Sequence, residues 1–424
     1  MRLLFLSNEF PHAWEPTKAV FNLDLIKQLA TQHDVSVVAP ISWVDELRAR
    51  FAGRGRLKRL APPAGDLAVH HPRFWYTPGF WRHHYERFLW WSLRKSVSSI
   101  RVDQRPDCIL SYWAHPDGAC AVKLARRWKI PCLLMVGGSD VLLMTKDARR
   151  RRRVQEALVG ADAVVTMSRD LAGKVIGMDV DPKHVHVMRR GVDGSIFFPG
   201  DKAAARRAVG ISPDETALLW VGRMAPVKGV PTLLEAFQQL RARGVDAKLY
   251  LIGDGALRAA LESDIARRGL ADQVRMVGSV AHRELGNWFR AADATVLPSL
   301  SEGVPNVLLE SLACGTPWVA SKVGGIPEIA TGDAARLAPP NDPHELACVL
   351  HKLLIDRPTV AETDRPSSLA QFADRIASLA ASLRREHELA ACPSRPLRPR
   401  GEPRPCNLNP LTASSSLASL TSPL

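Results

Sequence analysis

The chain alternates short apolar runs with helix-length stretches whose apolar positions recur every three to four residues. This is the pattern of βα units building a mostly parallel sheet. In the first half, Arg2–Ser7, Asp34–Ala39, Cys108–Tyr112, Cys132–Val136, Ala163–Thr166 and Val185–Met188 read as strands, with helices such as Thr17–Thr31 and Gly118–Trp128 between them. The alternation restarts at Ala217–Val221 and continues through Val230–Ala242, Lys248–Ile252, Ala256–Arg268, Val274–Val277, Leu285–Ala291, Ala294–Pro298 and Val304–Ala313. Two α/β domains are therefore expected, over 1–197 and 198–365, with the Gly-, Pro- and charge-rich stretch 195–215 as the linker. Over 366–388, Leu369, Phe372, Ile376, Leu379 and Leu383 share one helix face, which predicts a helix packing back across the domains. The Pro- and Ser-rich segment 389–424 has too few apolar residues for a core and is expected to be disordered.

Composition agrees with this layout and narrows the chemistry. A chain of 424 residues, 46% apolar and 24% charged, exceeds one hydrophobic core and is neither fibrous nor disordered throughout. The opening Leu3-Leu4-Phe5-Leu6 gives way to Ser7-Asn8-Glu9 too early for a signal-peptide core, and no window reaches a membrane-spanning length; a cytoplasmic protein is expected. Seven cysteines form no C-x-x-C pair, which argues against a disulfide framework and a thiolate metal site. A net charge of +14 biases partners toward phosphate-bearing molecules or an anionic membrane face. Zinc-finger spacing, RNP aromatics and a basic zipper are all missing, so nucleic acid is not expected as a partner.

The candidate chemistry lies mainly in the second half. Arg223 and Lys228 follow the strand Ala217–Val221 in a Gly turn that leads into a helix, and strand C-termini are where open α/β sheets bind ligands. Two cations there suit a diphosphate, Arg as a planar fork and Lys as a mobile charge. A second strand end, Pro298-Ser299-Leu300-Ser301-Glu302-Gly303-Val304-Pro305-Asn306, also runs through a Gly turn into a helix. Free amides around Gly303, Val304 and Asn306, with the helix dipole behind them, form an anion-binding end. Glu302 and Glu310 stand beside it, and a carboxylate next to an anion site makes sense as a grip on vicinal hydroxyls of a sugar or ribose. Taken alone, the cations and the glutamates are equally what a solvated surface would carry.

Arg223 and Lys228, the E-x7-E pair Glu302 and Glu310 with Gly303, the run Val319 to Ile329, and Arg190-Gly191-Val192-Asp193 before Phe198-Pro199 together resemble family 4 of the retaining glycosyltransferases. The resemblance covers about residues 1–355 and is strongest over 215–330. It implies the GT-B fold: two Rossmann-like domains with parallel sheets facing an interdomain cleft, the nucleotide-sugar donor on the C-terminal domain and the acceptor on the N-terminal one. It implies a donor substrate rather than a bound cofactor, and no metal. Arg223 and Lys228 would neutralise the diphosphate, Glu310 would hold the ribose, Glu302 would contact the donor sugar near the reacting carbon, and the loop at Gly278 would border the base.

The N-terminal half departs from the family pattern. Ala19 stands near an expected Gly, and Gly137-Gly138-Ser139-Asp140 lacks the usual His, leaving His115 as the candidate beside the reaction centre and Asp140 as an acceptor or donor-sugar contact. Aromatics from Phe74 to Trp91 interleave with Arg73, Arg82, His83, His84 and Arg87, a pattern that suits peripheral contact with an anionic membrane or equally a domain core; Arg149–Arg153 is an unbroken basic run, by default a solvated helix start, that could also dock on anionic lipid. The resulting expectation is transfer of a sugar from a nucleotide diphosphate to a saccharide or lipid-linked acceptor, in polysaccharide or glycolipid assembly. An epimerase or hydrolase of the same architecture and a non-catalytic nucleotide-sugar-binding partner are the alternatives.

Overall fold

The computed structural model describes residues 1–54, 67–98 and 105–391, so the Pro/Ser-rich tail after Ala391 lies outside the described residues. Parallel strands β1 (Arg2–Leu6), β2 (Asp34–Val38), β3 (Ile41–Ser42), β4 (Val69–His70), β5 (Arg73–Phe74), β6 (Cys108–Tyr112), β7 (Cys132–Met135), β8 (Ala163–Thr166) and β9 (Val185–Val187) build the first domain. Seven of them form one sheet in the order β4-β2-β1-β6-β7-β8-β9, while β3 and β5 pair separately. The second sheet has the order β12-β11-β10-β13-β14-β15, from β10 (Thr216–Val221), β11 (Ala247–Ile252), β12 (Val274–Gly278), β13 (Ala294–Leu297), β14 (Trp318–Ser321) and β15 (Ala335–Ala338).

In both parallel sheets the order of strand addition reverses beside the first strand, between β1 and β6 and between β10 and β13. Helices cover both faces, so the strands read as continuous apolar runs: Leu3–Leu6 and Ala217–Trp220 are buried throughout. The two cores are separate. Trp220, Phe237, Phe289 and Trp318 fill the second. The helix Leu369–Ala391 buries Phe372, Ile376, Ala380 and Leu383 with Leu3, Phe5 and Leu25 of the first. That helix is reached by a second crossing of the chain, pinned where Val192 N donates to Ser367 O at 3.1 Å and Leu369 N to Val192 O at 2.8 Å.

Two boundaries differ from the sequence pattern, each for a local reason. The helix expected over 17–31 begins at Val20, because Ala19 sits at φ 45°, a left-handed conformation that a side chain disfavours by about 1–2 kcal/mol. The helix expected from Val304 begins at Asn306, after Pro305 in extended geometry. The stretch 195–215 is not a free linker: Phe197, Ala205 and Ile211 join the second core. Arg206, buried in that stretch, donates to Ala291 O and Ser212 O at 3.1 Å and to Asp293 at 2.8 Å. A charge-rich segment looks like linker until its arginine is seen to be buried with partners.

The turn after β6 is held by Asp117, fully buried, whose Oδ1 accepts from Asn8 N at 2.7 Å while Oδ2 has no hydrogen-bond partner. Burial pushes its pKa up to about 8, against the amide bond to Asn8 that favours the charged form. Since the folded value lies above the unfolded one, its stabilising contribution is complete in acid and fades as pH rises toward about 8. Thermal melts from about pH 5 to pH 8 should therefore show Asp117→Asn gaining on the native chain as pH rises; parallel curves for the two proteins would refute the assignment.

Candidate functional site

The carboxyl ends of β10 and β13 flank the reversal of the second sheet, the place where open α/β sheets bind ligands. After β10 the chain passes Arg223 and a short turn, Pro226–Lys228, before the helix Val230–Ala242. Gly229, at φ 63°, lies so close to the carbonyl of Pro298 that a Cβ there would collide with it, which locks this turn to the loop after β13. Lys228 Nζ consequently lies 2.6 Å from Glu302 Oε1, in a pair largely shielded from solvent. Arg223 is exposed at the same strand end, and its side chain makes no ion pair among the described residues.

The loop Glu302–Pro305 is gripped from both sides. Gly324, at φ 53°, presses on the carbonyl of Glu302, and Gly325 N donates to Gly303 O at 2.8 Å. Across the cleft Gly138, at φ 112°, faces Gly303 so closely that a Cβ on it would stand 3.1 Å from Gly303 N. Val304 reaches past this contact to pack on the first domain's core. Asn306 then opens the helix Asn306–Ala313, with its amino end toward the cleft loop. Glu328 fastens the same interface: its two oxygens accept from Arg169 N and Asp170 N, each at 2.9 Å, at the start of the helix after β8.

Glu310 lies one turn into its helix, buried, and faces a group that the sequence pattern did not single out. His282 Nε2 is 3.5 Å from Glu310 Oε1, and His282 Nδ1 is 3.6 Å from Asp24 Oδ2 of the first domain. Burial is the largest influence on His282 and opposes its charge, but the bond to Glu310 and the charges of Glu310, Asp24 and Asp193 together outweigh it and raise the pKa. Burial likewise raises Asp24. A lone histidine four residues beyond Gly278 carries no sequence signal, because only folding brings it to these two acids. Gly278 itself ends β12 at φ 85° and spends its carbonyl on Gly253 N at 2.8 Å.

On the first domain, the loops after β1 and β6 line a cavity of about 410 Å³ that includes Asn8, Glu9, Lys18, Trp113, His115 and Arg150. His115 is buried with Nε2 2.9 Å from Glu86 Oε2, a partner not evident from the sequence. Burial opposes ionisation of Glu86, but the bond to His115 and the charges of His115 and Arg153 hold its pKa below the usual range. Asp140 is also buried, and its carboxylate accepts from Ala114 N at 2.9 Å, Gly138 N at 2.9 Å and Gly137 N at 3.1 Å. It thus braces the Gly137-Gly138 turn from beneath, tying the loop after β6 to the loop that meets Gly303. Lys228 and Glu302 are brought together, as are Glu310 and His282; His115 and Asp140 serve the other wall of the cleft.

Family models match both halves. One described as Glycosyltransferase Family 4 matches residues 19–195, and one described as Glycosyl transferases group 1 matches residues 215–356. A relative from Arthrobacter sp., "D-inositol 3-phosphate glycosyltransferase", is 32% identical over 296 residues, 66% of this chain and 70% of its own length. The chain belongs to glycosyltransferase family 4. Another relative, "D-inositol 3-phosphate glycosyltransferase 2" of Catenulispora acidiphila, is 37% identical over 242 residues, 53% of this chain; the chain spans 55% of that relative's length. Among solved structures, sucrose-phosphate synthase of Thermosynechococcus elongatus has a TM-score of 0.74 at 20% identity, covering 92% of this chain and 99% of that one. Anabaena HepE in complex with UDP-glucose has a TM-score of 0.64 at 18% identity, covering 92% and 99%. The family 4 chain thus has the GT-B fold, with its two sheets facing one cleft.

Glu310→Gln should drop the His282 titration midpoint, followed by NMR of the imidazole protons, because the partner that offsets burial is then neutral. An unchanged midpoint would show that the contact seen here does not govern this histidine.

Proposed function

We propose that the protein is a retaining, metal-independent glycosyltransferase that moves a sugar from a nucleoside diphosphate sugar to a saccharide acceptor, lipid-linked through a phosphate, in polysaccharide or glycolipid assembly. The observation that carries this reading is the Lys228–Glu302 pair, 2.6 Å apart at the reversal of the second sheet and beside the amino end of the helix Asn306–Ala313. As the bond from the anomeric carbon to the diphosphate breaks and the acceptor hydroxyl oxygen bonds that carbon, negative charge collects on the departing phosphates, and a departing phosphate oxygen takes the proton the hydroxyl gives up. In this reading Lys228, Arg223 and the amides at Gly303, Val304 and Asn306 stabilise that charge. Glu302 then exchanges its ion pair for a sugar hydroxyl, and Glu310 takes the ribose. Among the described residues no group of three or more His, Cys, Asp or Glu side chains is placed to share a metal ion.

The first-domain cavity supports the acceptor half of the proposal. Tyr76, Tyr85 and Trp113 bring aromatic rings suited to a pyranose to the lining, and Lys18, Arg82 and Arg150 bring cations suited to a phosphate. His115, held by Glu86, lines the same cavity and is the residue assigned here beside the reaction centre. The rim at Pro78 and Gly79 runs straight into Phe80 and Trp81, 76% and 64% exposed, while Trp75 and Trp91 are exposed nearby in sequence. Phe74 is buried, and Tyr76, Tyr85, Phe88 and Trp90 pack on the core. The aromatic segment therefore divides, half into core and half into an exposed face with Arg82 and Arg87 that suits a lipid headgroup region. No described helix is long and apolar enough to cross a membrane.

Lys228→Ala should lower transfer from the true donor by about 10²- to 10³-fold while the unliganded protein keeps its native circular dichroism and melts cooperatively, at a somewhat lower temperature because Glu302 loses its partner; undiminished transfer would refute the diphosphate assignment. Flotation with anionic vesicles should show salt-sensitive binding that falls in Phe80→Ser/Trp81→Ser. Indifference to anionic lipid would remove the membrane reading and leave the transfer chemistry untouched.

A further inference from the structure

A second cavity, of about 550 Å³, lies at the junction of the two domains and shares no residue with the donor and acceptor sites described above. It is bounded by both chain crossings, at 187–190 and 363–367, by Leu309 and Leu312, and by the segment from Glu328 to Thr331. Five arginines line it: Arg169, Arg189, Arg190, Arg365 and Arg375. Among the described residues none of the five is in an ion pair. The two carboxylates in the lining are Glu328, whose oxygens are taken by the amides of Arg169 and Asp170, and Asp364.

Five guanidinium groups outnumber the two carboxylates on this cavity, and a guanidinium without hydrogen-bond acceptors is costliest where it is buried, even with the charges of Asp24 and Glu310 acting on Arg190. Arg190 is 6% exposed, and neither Nη1 nor Nη2 has a hydrogen-bond partner. Its guanidinium carbon lies 4.5 Å from the ring centroid of Phe21 and 5.6 Å from that of Phe372, contacts that shelter the charge without accepting its N–H groups. Arg375 Nη2 donates to Arg189 O at 2.8 Å, which joins the C-terminal helix to the first crossing. An anion with several oxygens would satisfy these donors and balance the excess of cations. The rest of the wall mixes apolar Leu309, Leu312 and Ile329 with the hydroxyls of Thr331, Thr363 and Ser367, a lining suited to a sugar carrying phosphate rather than to a bare inorganic anion.

We propose that this junction cavity is a second binding site, for a small sugar phosphate, separate from the catalytic cleft. Its lining comes from the first domain, from the second and from both crossings, so an occupant tightens the arrangement in which Gly138 meets Gly303 and Glu328 caps the helix after β8. Binding there and binding in the cleft are then coupled, each favouring the other.

The test is calorimetric titration of a hexose bisphosphate onto the full chain carrying Lys228→Ala, which weakens phosphate binding at the cleft. Adding Arg189→Ala and Arg365→Ala should weaken the remaining binding by about tenfold or more, and the unphosphorylated hexose should not bind. Affinity within about twofold with and without the two arginines would overturn the proposal, as would failure of the hexose bisphosphate to bind at low salt. A second measurement does not depend on the variants folding. On the unmutated chain, the hexose bisphosphate should slow amide exchange at 187–190 and 363–367, and unchanged exchange there would also overturn the proposal. Neither readout requires glycosyl transfer, so failure here leaves the reading of the cleft standing.

Discussion

Two backbones meet where Gly138 faces Gly303, and the closeness of that approach constrains both sides of the cleft. Side chains at these positions would hold the sheets apart, so the loops after β7 and β13 can touch only because neither carries a Cβ at the contact. Each loop is then fixed from behind: Asp140 takes the two amides of the Gly137-Gly138 turn and that of Ala114, and Gly324-Gly325 presses on Glu302 and Gly303. The helix Asn306–Ala313 inherits its placement from this contact, and with it the direction of its free amides.

Electrostatics in the cleft follow from the same closeness. Charges that would be solvated on separate domains are brought into partial burial, where an unpaired group is costly, and most of them have found partners. Lys228 has Glu302, His115 has Glu86, and His282 bridges Asp24 to Glu310 across the interface. Partners of this kind can be traded for a substrate's charges and hydroxyls with little change in the number of satisfied groups. Arg190, wedged between Phe21 and Phe372, lacks hydrogen-bond acceptors for its two terminal nitrogens and stands apart from this pattern.

Legibility in the sequence tracked how local the cause was. Ala217–Val221 and Ala294–Leu297 are readable as strands because burial on both faces demands unbroken apolar runs. Lys228 and Glu302 stood out because each follows such a strand through a Gly turn. Residues 195–215 misled because Ala205 and Ile211 sit among charges and the buried Arg206 looks like any surface arginine. The partner of His115 lies 29 residues away at Glu86, and those of His282 lie on two other helices. Nothing in local spacing encodes such pairs.

By itself, then, the sequence determined the two α/β repeats, the sheet ends that present cations and acids, and the family resemblance. Those depend on periodicity and short-range turn chemistry, which act within about one βα unit. Which charges face each other was decided only when the two sheets closed on one cleft. So were the burial that raises Asp24 in pKa, the acids that raise His282 against its burial, and the convergence of five arginines at the crossings. Desolvation and Coulomb energies depend on distances between segments tens to hundreds of residues apart along the chain, and only the tertiary structure sets those distances.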